Sequence, residues 1–366
     1  MKKNNVGNII YFLALFLLVA SNLLCNVTFL TNYLFSFKIL SYILFLFVGF
    51  ISFFKKKTIK TSTFLLIIIS LSLGIESYYI TKNSILLDLA CVIIGSFDMK
   101  FDDVLKYDLL IKVIITVIIL LAYFNGLTFS RFTVTRSNEY LRNSFGFFHP
   151  NTFGMYLMMM YFEYIVLKKK MNFKMFFLGI IIIIIIYYTC NSRTAYYSIA
   201  LFLILCLIGF FIKKLFKIKS INLYNFRFNK YLFLILLLSS VFVTKMYSLN
   251  QSVISEIDTF LSGRLYLQYI NMQQFPITFF GNDITLIGTL DNGFIKILLN
   301  YGLLTSVVYF FIYYLIFTNM KKVKNEYLAL VIIVILFYTL SESILLYICY
   351  NIFLLSFINY RGDLDD

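Results

Sequence analysis

Residues 180–186 read Ile180-Ile181-Ile182-Ile183-Ile184-Ile185-Ile186, with Phe176-Phe177-Leu178-Gly179 before them and Tyr187-Tyr188 after. The block is solidly apolar and has no period-two alternation, which excludes a strand of a membrane β-barrel. A helix apolar on every side belongs in a large core or in lipid. A hydrocarbon core needs about 20 apolar residues per helix, and each backbone group must be paired inside the segment. The same kind of run recurs along the chain, as in Tyr11 to Ala20. Composition agrees: 61% of residues are hydrophobic and 13% charged, with a mean hydropathy of +0.87. Soluble domains carry about a quarter charged residues. The chain therefore reads as all-α, a polytopic integral membrane protein of about 12 transmembrane helices in a lipid bilayer. Residues 1–366 form a single membrane domain, without an internal repeat, a low-complexity linker or a soluble domain.

The expected spans are 8–24, 32–53, 62–80, 84–97, 107–124, 148–167, 172–189, 194–213, 231–247, 293–318, 326–340 and 342–359. The first follows Lys2 and Lys3 without a small-residue cleavage site and is read as retained. Lysine then sets the orientation. Lys55, Lys56, Lys57 and Lys60 follow the second span, and Lys100 and Lys106 the fourth. Lys168, Lys169, Lys170 and Lys174 follow the sixth. Lys213, Lys214, Lys217, Lys219 and Lys230 follow the eighth, and Lys321, Lys322 and Lys324 the tenth. By the positive-inside rule both termini lie in the cytoplasm. The net charge of +15 is then mainly a topology signal, and no nucleic-acid partner is needed to explain it. Cys25, Cys91, Cys190, Cys206 and Cys349 lie in or beside spans without metal-type spacing and read as packing residues.

Arginine runs against this pattern. Arg131, Arg136, Arg142, Arg193 and Arg264 fall on the external side, and only Arg227 and Arg361 on the internal side. The planar guanidinium grips phosphate or carboxylate through two parallel bonds, which makes these arginines candidates for chemistry. Contact with outer-leaflet headgroups is the plainer reading. Two external loops, 125–147 and 248–292, are long enough to build a site. Spans six, eight, ten and twelve begin on that face, so their positive helix ends point to it. Polar residues stand at each start: His149-Pro150-Asn151, Asn191-Ser192-Arg193-Thr194, Asp291-Asn292-Gly293 and Ser341-Glu342-Ser343. Each has a purely structural reading as a helix cap. His149 is the only histidine and serves equally well as a structural hydrogen-bonding group. The first external connection, about 25–31, carries no carboxylate, which weakens a lipid-phosphate-sugar transferase with an acidic pair there.

In order along the chain stand Gly146-Phe147-Phe148-His149-Pro150-Asn151-Thr152-Phe153-Gly154, Ser192-Arg193-Thr194-Ala195 and Ser262-Gly263-Arg264. Phe279-Phe280-Gly281-Asn282 and Asp291-Asn292-Gly293-Phe294 follow, then Leu298-Leu299-Asn300-Tyr301-Gly302. This series, over about 130–302, resembles the Wzy-type polysaccharide polymerases of the O-antigen polymerase and ligase superfamily. Its histidine-proline-asparagine element looks most like members that build capsules or exopolysaccharides. Asn282-Asp283 departs from relatives that carry a second glycine after Gly281. The resemblance implies glycosyl transfer on the outer face of the cytoplasmic membrane. The donor would be a glycan on undecaprenyl diphosphate, the acceptor a lipid-linked repeat unit, and other capsule-assembly membrane proteins the partners. It implies neither cofactor nor divalent metal. Arg193 and Arg264 would clamp the diphosphate, with Arg142 and Arg136 next and Arg131 in support. His149, Asp291 and Glu342 are rival bases, His149 doubling as a group that orients the donor. Asn151, Ser192, Gly281 and Asn292 complete the substrate-binding set. Three alternatives stay open: a ligase with another acceptor, a lipid-linked oligosaccharide flippase, and a membrane assembly partner without catalysis.

Overall fold

The computed structural model describes residues 5–28, 30–55, 61–128, 132–134, 141–217, 227–249, 256, 258–259, 263–283, 285–287, 290–323, 325–343 and 346–357. In chain order the helices are α1 (Asn5–Leu23), α2 (Leu34–Lys55), α3 (Thr61–Thr81), α4 (Ile85–Gly95) and α5 (Phe101–Phe124). A short antiparallel hairpin of β1 (Phe132–Val134) and β2 (Leu141–Asn143) pairs Thr133 with Arg142. Then come α6 (Pro150–Lys168), α7 (Phe173–Thr189), α8 (Arg193–Leu215), α9 (Leu232–Met246) and α10 (Arg264–Gln274). The last are α11 (Gly293–Lys296), α12 (Gly302–Val323) and α13 (Glu326–Tyr338), followed by a 3-10 helix, Ile352–Phe357.

Local chemistry sets the helix starts. His149 is extended and its ring accepts a bond from the Asn151 amide, with Pro150 in the first turn of α6. Asn172 caps α7 by accepting from the Met175 amide at 2.9 Å, and Asn325 caps α13 at Leu328. Asp258 accepts from the Leu265 amide at 2.8 Å and so holds the first turn of α10. Each cap satisfies an amide that the helix itself leaves without a partner.

Packing pairs α1 with α2, α3 with α4, α2 with α4, α5 with α6 and α7 with α8, while α13 lies against α6, α8 and α9. The innermost side chains include Tyr11, Ile111, Ile115, Phe162, Val331 and Leu355. The outer helices face the other way. In α7 only Met175, Gly179 and Ile186 are buried, and Ile181, Ile184 and Ile185 are exposed. Leu207, Ile208 and Phe211 of α8 are exposed as well. An apolar perimeter of this extent is unstable in water and suited to lipid. Among the described residues, five stretches are long and apolar enough to cross a membrane: Val6–Asn26, Thr31–Phe54, Arg193–Leu215, Phe228–Met246 and Gly293–Met320. The chain is a helical membrane protein.

Two expected spans take a different form. The tenth, 293–318, is α11, a π-turn over Ile297–Tyr301, and α12. The twelfth, 342–359, is not a continuous α-helix: its described part is turns leading to the 3-10 helix Ile352–Phe357, which is buried throughout. Irregular backbone survives at such depth where protein encloses it. Here Lys112 takes the Tyr350 carbonyl at 3.3 Å and Asn319 the Phe357 carbonyl at 3.4 Å. Loop 248–292 is likewise more than a connection, since it contains α10.

The bundle has two chemically distinct ends. At one, Lys169 pairs with Asp102 and Lys213 with Glu326, each at 2.5 Å, and Asn325 donates to the Val166 carbonyl. At the other lie the starts of α6, α8, α10 and α11 and the end of α13.

Candidate functional site

Glu342 is the hub of this second end. It sits in the turn that follows α13, where its own amide bonds the Tyr338 carbonyl at 3.1 Å. Its Oε1 accepts from Arg264 Nη2 at 3.2 Å and from Asn151 Nδ2 at 3.0 Å. Arg264 opens α10 and is used on three sides. Its Nη1 donates to the Ser341 carbonyl at 2.6 Å and its Nε lies 2.8 Å from Asp291 Oδ2. Asn151, in the first turn of α6, accepts at Oδ1 from Arg142 Nη2. Arg142, on β2, extends its Nε to the Cys190 carbonyl at 2.8 Å. One continuous polar chain, Arg142–Asn151–Glu342–Arg264–Asp291, therefore ties the 142–151 segment to Arg264, Asp291 and Glu342, which lie far from it in sequence. The Gly293 amide bonds the Thr339 carbonyl at 2.9 Å, which fixes the start of α11 beside the Glu342 turn.

The electrostatics follow from this layout. Burial pushes the Glu342 carboxyl up to about 7, with Arg264 pulling against it and Asp291 adding repulsion. Burial also lowers the pKa of Arg142, and the positive charges of Arg193 and Arg264 nearby push it the same way. Three arginines thus share a region with two carboxylates, and the region is net positive. A protonatable carboxyl near neutrality beside guanidinium groups can exchange a proton while an anion is held next to it.

Of the residues expected to form a site, Arg142, Asn151, Arg264, Asp291 and Glu342 are bonded into one network. Arg193 is exposed in the first turn of α8 and close enough to bear on Arg142. His149 is adjacent as the cap of α6, its Nδ1 accepting from the Asn151 amide at 3.1 Å. Ser192 is buried at the head of α8 without capping it.

Two expected residues serve other ends. Asn292 is buried; it caps α11 through the Phe294 and Ile295 amides and donates to Ser240 Oγ at 3.3 Å. Gly281 packs against the π-turn, where a Cβ would stand 2.0 Å from the Asn300 carbonyl oxygen. Its role is backbone packing, and its glycine is needed for that approach. Arg131 and Arg136 lie outside the described residues.

Sequence reasoning missed Lys296, the last residue of α11. Its Nζ lies 3.3 Å from Ser343 Oγ, one residue beyond Glu342, and 5.7 Å from the centre of the Tyr347 ring. The signal was present, since Lys296 follows Asp291-Asn292-Gly293 at one helical turn. Among the described residues no three His, Cys, Asp or Glu side chains gather closely enough to hold a metal ion.

No protein-family model, no curated protein and no solved structure matches this chain.

Proposed function

We propose that the chain is a membrane glycosyltransferase of the Wzy polymerase type, acting on glycans carried by undecaprenyl diphosphate. The observation that carries this reading is the Arg142–Asn151–Glu342–Arg264–Asp291 network, a near-neutral carboxyl set among arginines at the end of the bundle away from the lysine clusters. In the reaction, a hydroxyl oxygen of the lipid-linked acceptor attacks the anomeric carbon of the donor. The bond from that carbon to the diphosphate breaks, and its electron pair leaves with the diphosphate. Glu342 receives the hydroxyl proton, and arginine stabilises the charge that grows on the leaving group.

Geometry divides the labour among the arginines. Arg264 is neutralised by Asp291 and Glu342 and orients the base. Arg193, exposed beside Arg142, is assigned to the diphosphate. The lysine bias of the opposite end supports an external location for the site.

The test is a gel ladder formed by the purified protein in nanodiscs from its lipid-linked repeat unit, taken from a host that lacks this chain. Arg193→Ala and Glu342→Gln are each expected to slow ladder growth roughly a hundredfold or more. Full-rate ladders from both variants would overturn the site assignment. Absence of any ladder with folded wild type and intact substrate would overturn the polymerase reading, and transfer to a different acceptor in the same assay would make the chain a ligase.

A further inference from the structure

A second charged cluster lies deep in the bundle and takes no part in the site above. Lys112 and Asp108 stand one turn apart on α5, and Glu163 faces them from α6. All three side chains are wholly buried. Lys112 Nζ reaches Asp108 Oδ2 at 2.6 Å and also bonds Glu163 Oε1. Glu163 is 12 residues beyond Asn151 on α6, or about 18 Å along the axis. The cluster is thus several turns away from the arginine end.

Charge balance makes this triad unusual. Two carboxylates and one ammonium leave a surplus negative charge where water has no access, and an uncompensated buried charge costs several kcal/mol. Lys112 is the only cation that bears on either carboxyl among the described residues. The groups around the pair offer no second one: Tyr11 from α1, Tyr156 from α6, and Cys349 and Tyr350 from the C-terminal segment. The two carboxyls also meet at the same Lys112 Nζ and so stand side by side. Asp108 Oδ1 and Glu163 Oε2 are nevertheless buried with no hydrogen-bond partner among the described residues. Two carboxylate oxygens cannot bond one another, because both only accept. A single proton removes both difficulties. It turns one carboxylate into an O–H donor for the other, and it brings the triad to zero net charge.

We propose that Asp108 and Glu163 form a buried proton-binding site that holds one proton between them, with Lys112 neutralising the remaining charge. The exchangeable ligand is H⁺, and the site is separate from the glycan chemistry assigned to Glu342.

Infrared spectroscopy of the protein in nanodiscs, at about pH 8 where free carboxyls are ionised, tests this directly. Wild type is expected to show a protonated-carboxyl C=O band that shifts in heavy water. Glu163→Gln and Asp108→Asn each leave one carboxylate facing Lys112, so both should fold and both should lose that band. Should an amide variant fail to fold, Glu163→Asp keeps a carboxyl in a new position and must move the band. A wild type without such a band, or a band indifferent to all three substitutions, overturns the proposal. A melting temperature that rises with sodium or potassium chloride but not with choline chloride, in a wild type lacking the band, would assign the site to an alkali cation instead.

Discussion

Glu342 carries opposite demands for stability and for chemistry. An ordinary glutamate loses its proton near pH 4.5, whereas burial holds this one until about 7. The folded protein therefore binds more protons than the unfolded chain between those two values. Stability contributed by the neutral carboxyl is present below pH 4.5 and falls as pH rises through 7. Catalysis as proposed requires the ionised form, so activity should rise through the same interval. Glu342→Gln is isosteric, keeps an acceptor for Arg264 and Asn151, and removes the titration. Its melting temperature at pH 8 should equal or exceed that of wild type, by an amount worth at most about 3 kcal/mol, while activity is lost. Thermal melts at pH 5 and pH 8, set beside the rate profile, check both halves. An acidic limb that persists unchanged in Glu342→Gln would move the base to another residue, with His149 next because it caps the helix that presents Asn151.

At the scale of elements, what could be read from sequence was whatever local chemistry decides. Pro150 marks the first turn of α6 behind its cap His149, and Asn172, Asn292 and Asn325 each cap where a polar residue precedes an apolar run. The polar identity of Arg142, Arg264 and Glu342 near one end was legible for the same reason. Their pairing was not, because Arg264 meets Asp291 only through the return of a long loop and Asn151 meets Glu342 across the bundle. The breaks in the tenth and twelfth expected spans were hidden too, since hydropathy is blind to which carbonyls will accept a bond from a neighbouring side chain.

Gly302 was the one local clue to the first break. It has φ +84 and ψ 177, a conformation open essentially to glycine alone. A Cβ there would stand 2.4 Å from both the Gly281 amide and the Phe279 carbonyl oxygen. Gly302→Ala should therefore cost roughly 2–4 kcal/mol, combining backbone strain with a clash against main chain. Gly263 also has positive φ, at +76, but open space around it. Gly263→Ala should cost only about 1 kcal/mol. Melting of the two variants in the same detergent separates the contributions, and equal losses would mean that the contact between the π-turn and the Phe279–Gly281 strap carries no weight.

Over the whole molecule, the lysine clusters and Arg142, Arg193 and Arg264 separate along the bundle axis, and the separation makes orientation testable. Lys168, Lys169, Lys170 and Lys174 lie at the junction of α6 and α7, and Lys213, Lys214 and Lys217 at the end of α8. Arg142, Arg193 and Arg264 lie at the other extreme of the same helices, beside the α7–α8 turn at Cys190. Lysine near a span end is retained on the cytoplasmic side during insertion, and Arg264 competes with it little because Asp291 and Glu342 offset its charge. In a chain whose native cysteines have been replaced, a cysteine at the exposed Tyr188 should react with a membrane-impermeant maleimide in intact cells. One at the exposed Lys217 should react only after the membrane is opened. The reverse pattern would put the Glu342 network in the cytoplasm, where its proposed donor does not present its glycan, and would overturn the glycan-polymer reading without touching the buried proton site. The two conclusions rest on different side chains, so either can fall alone.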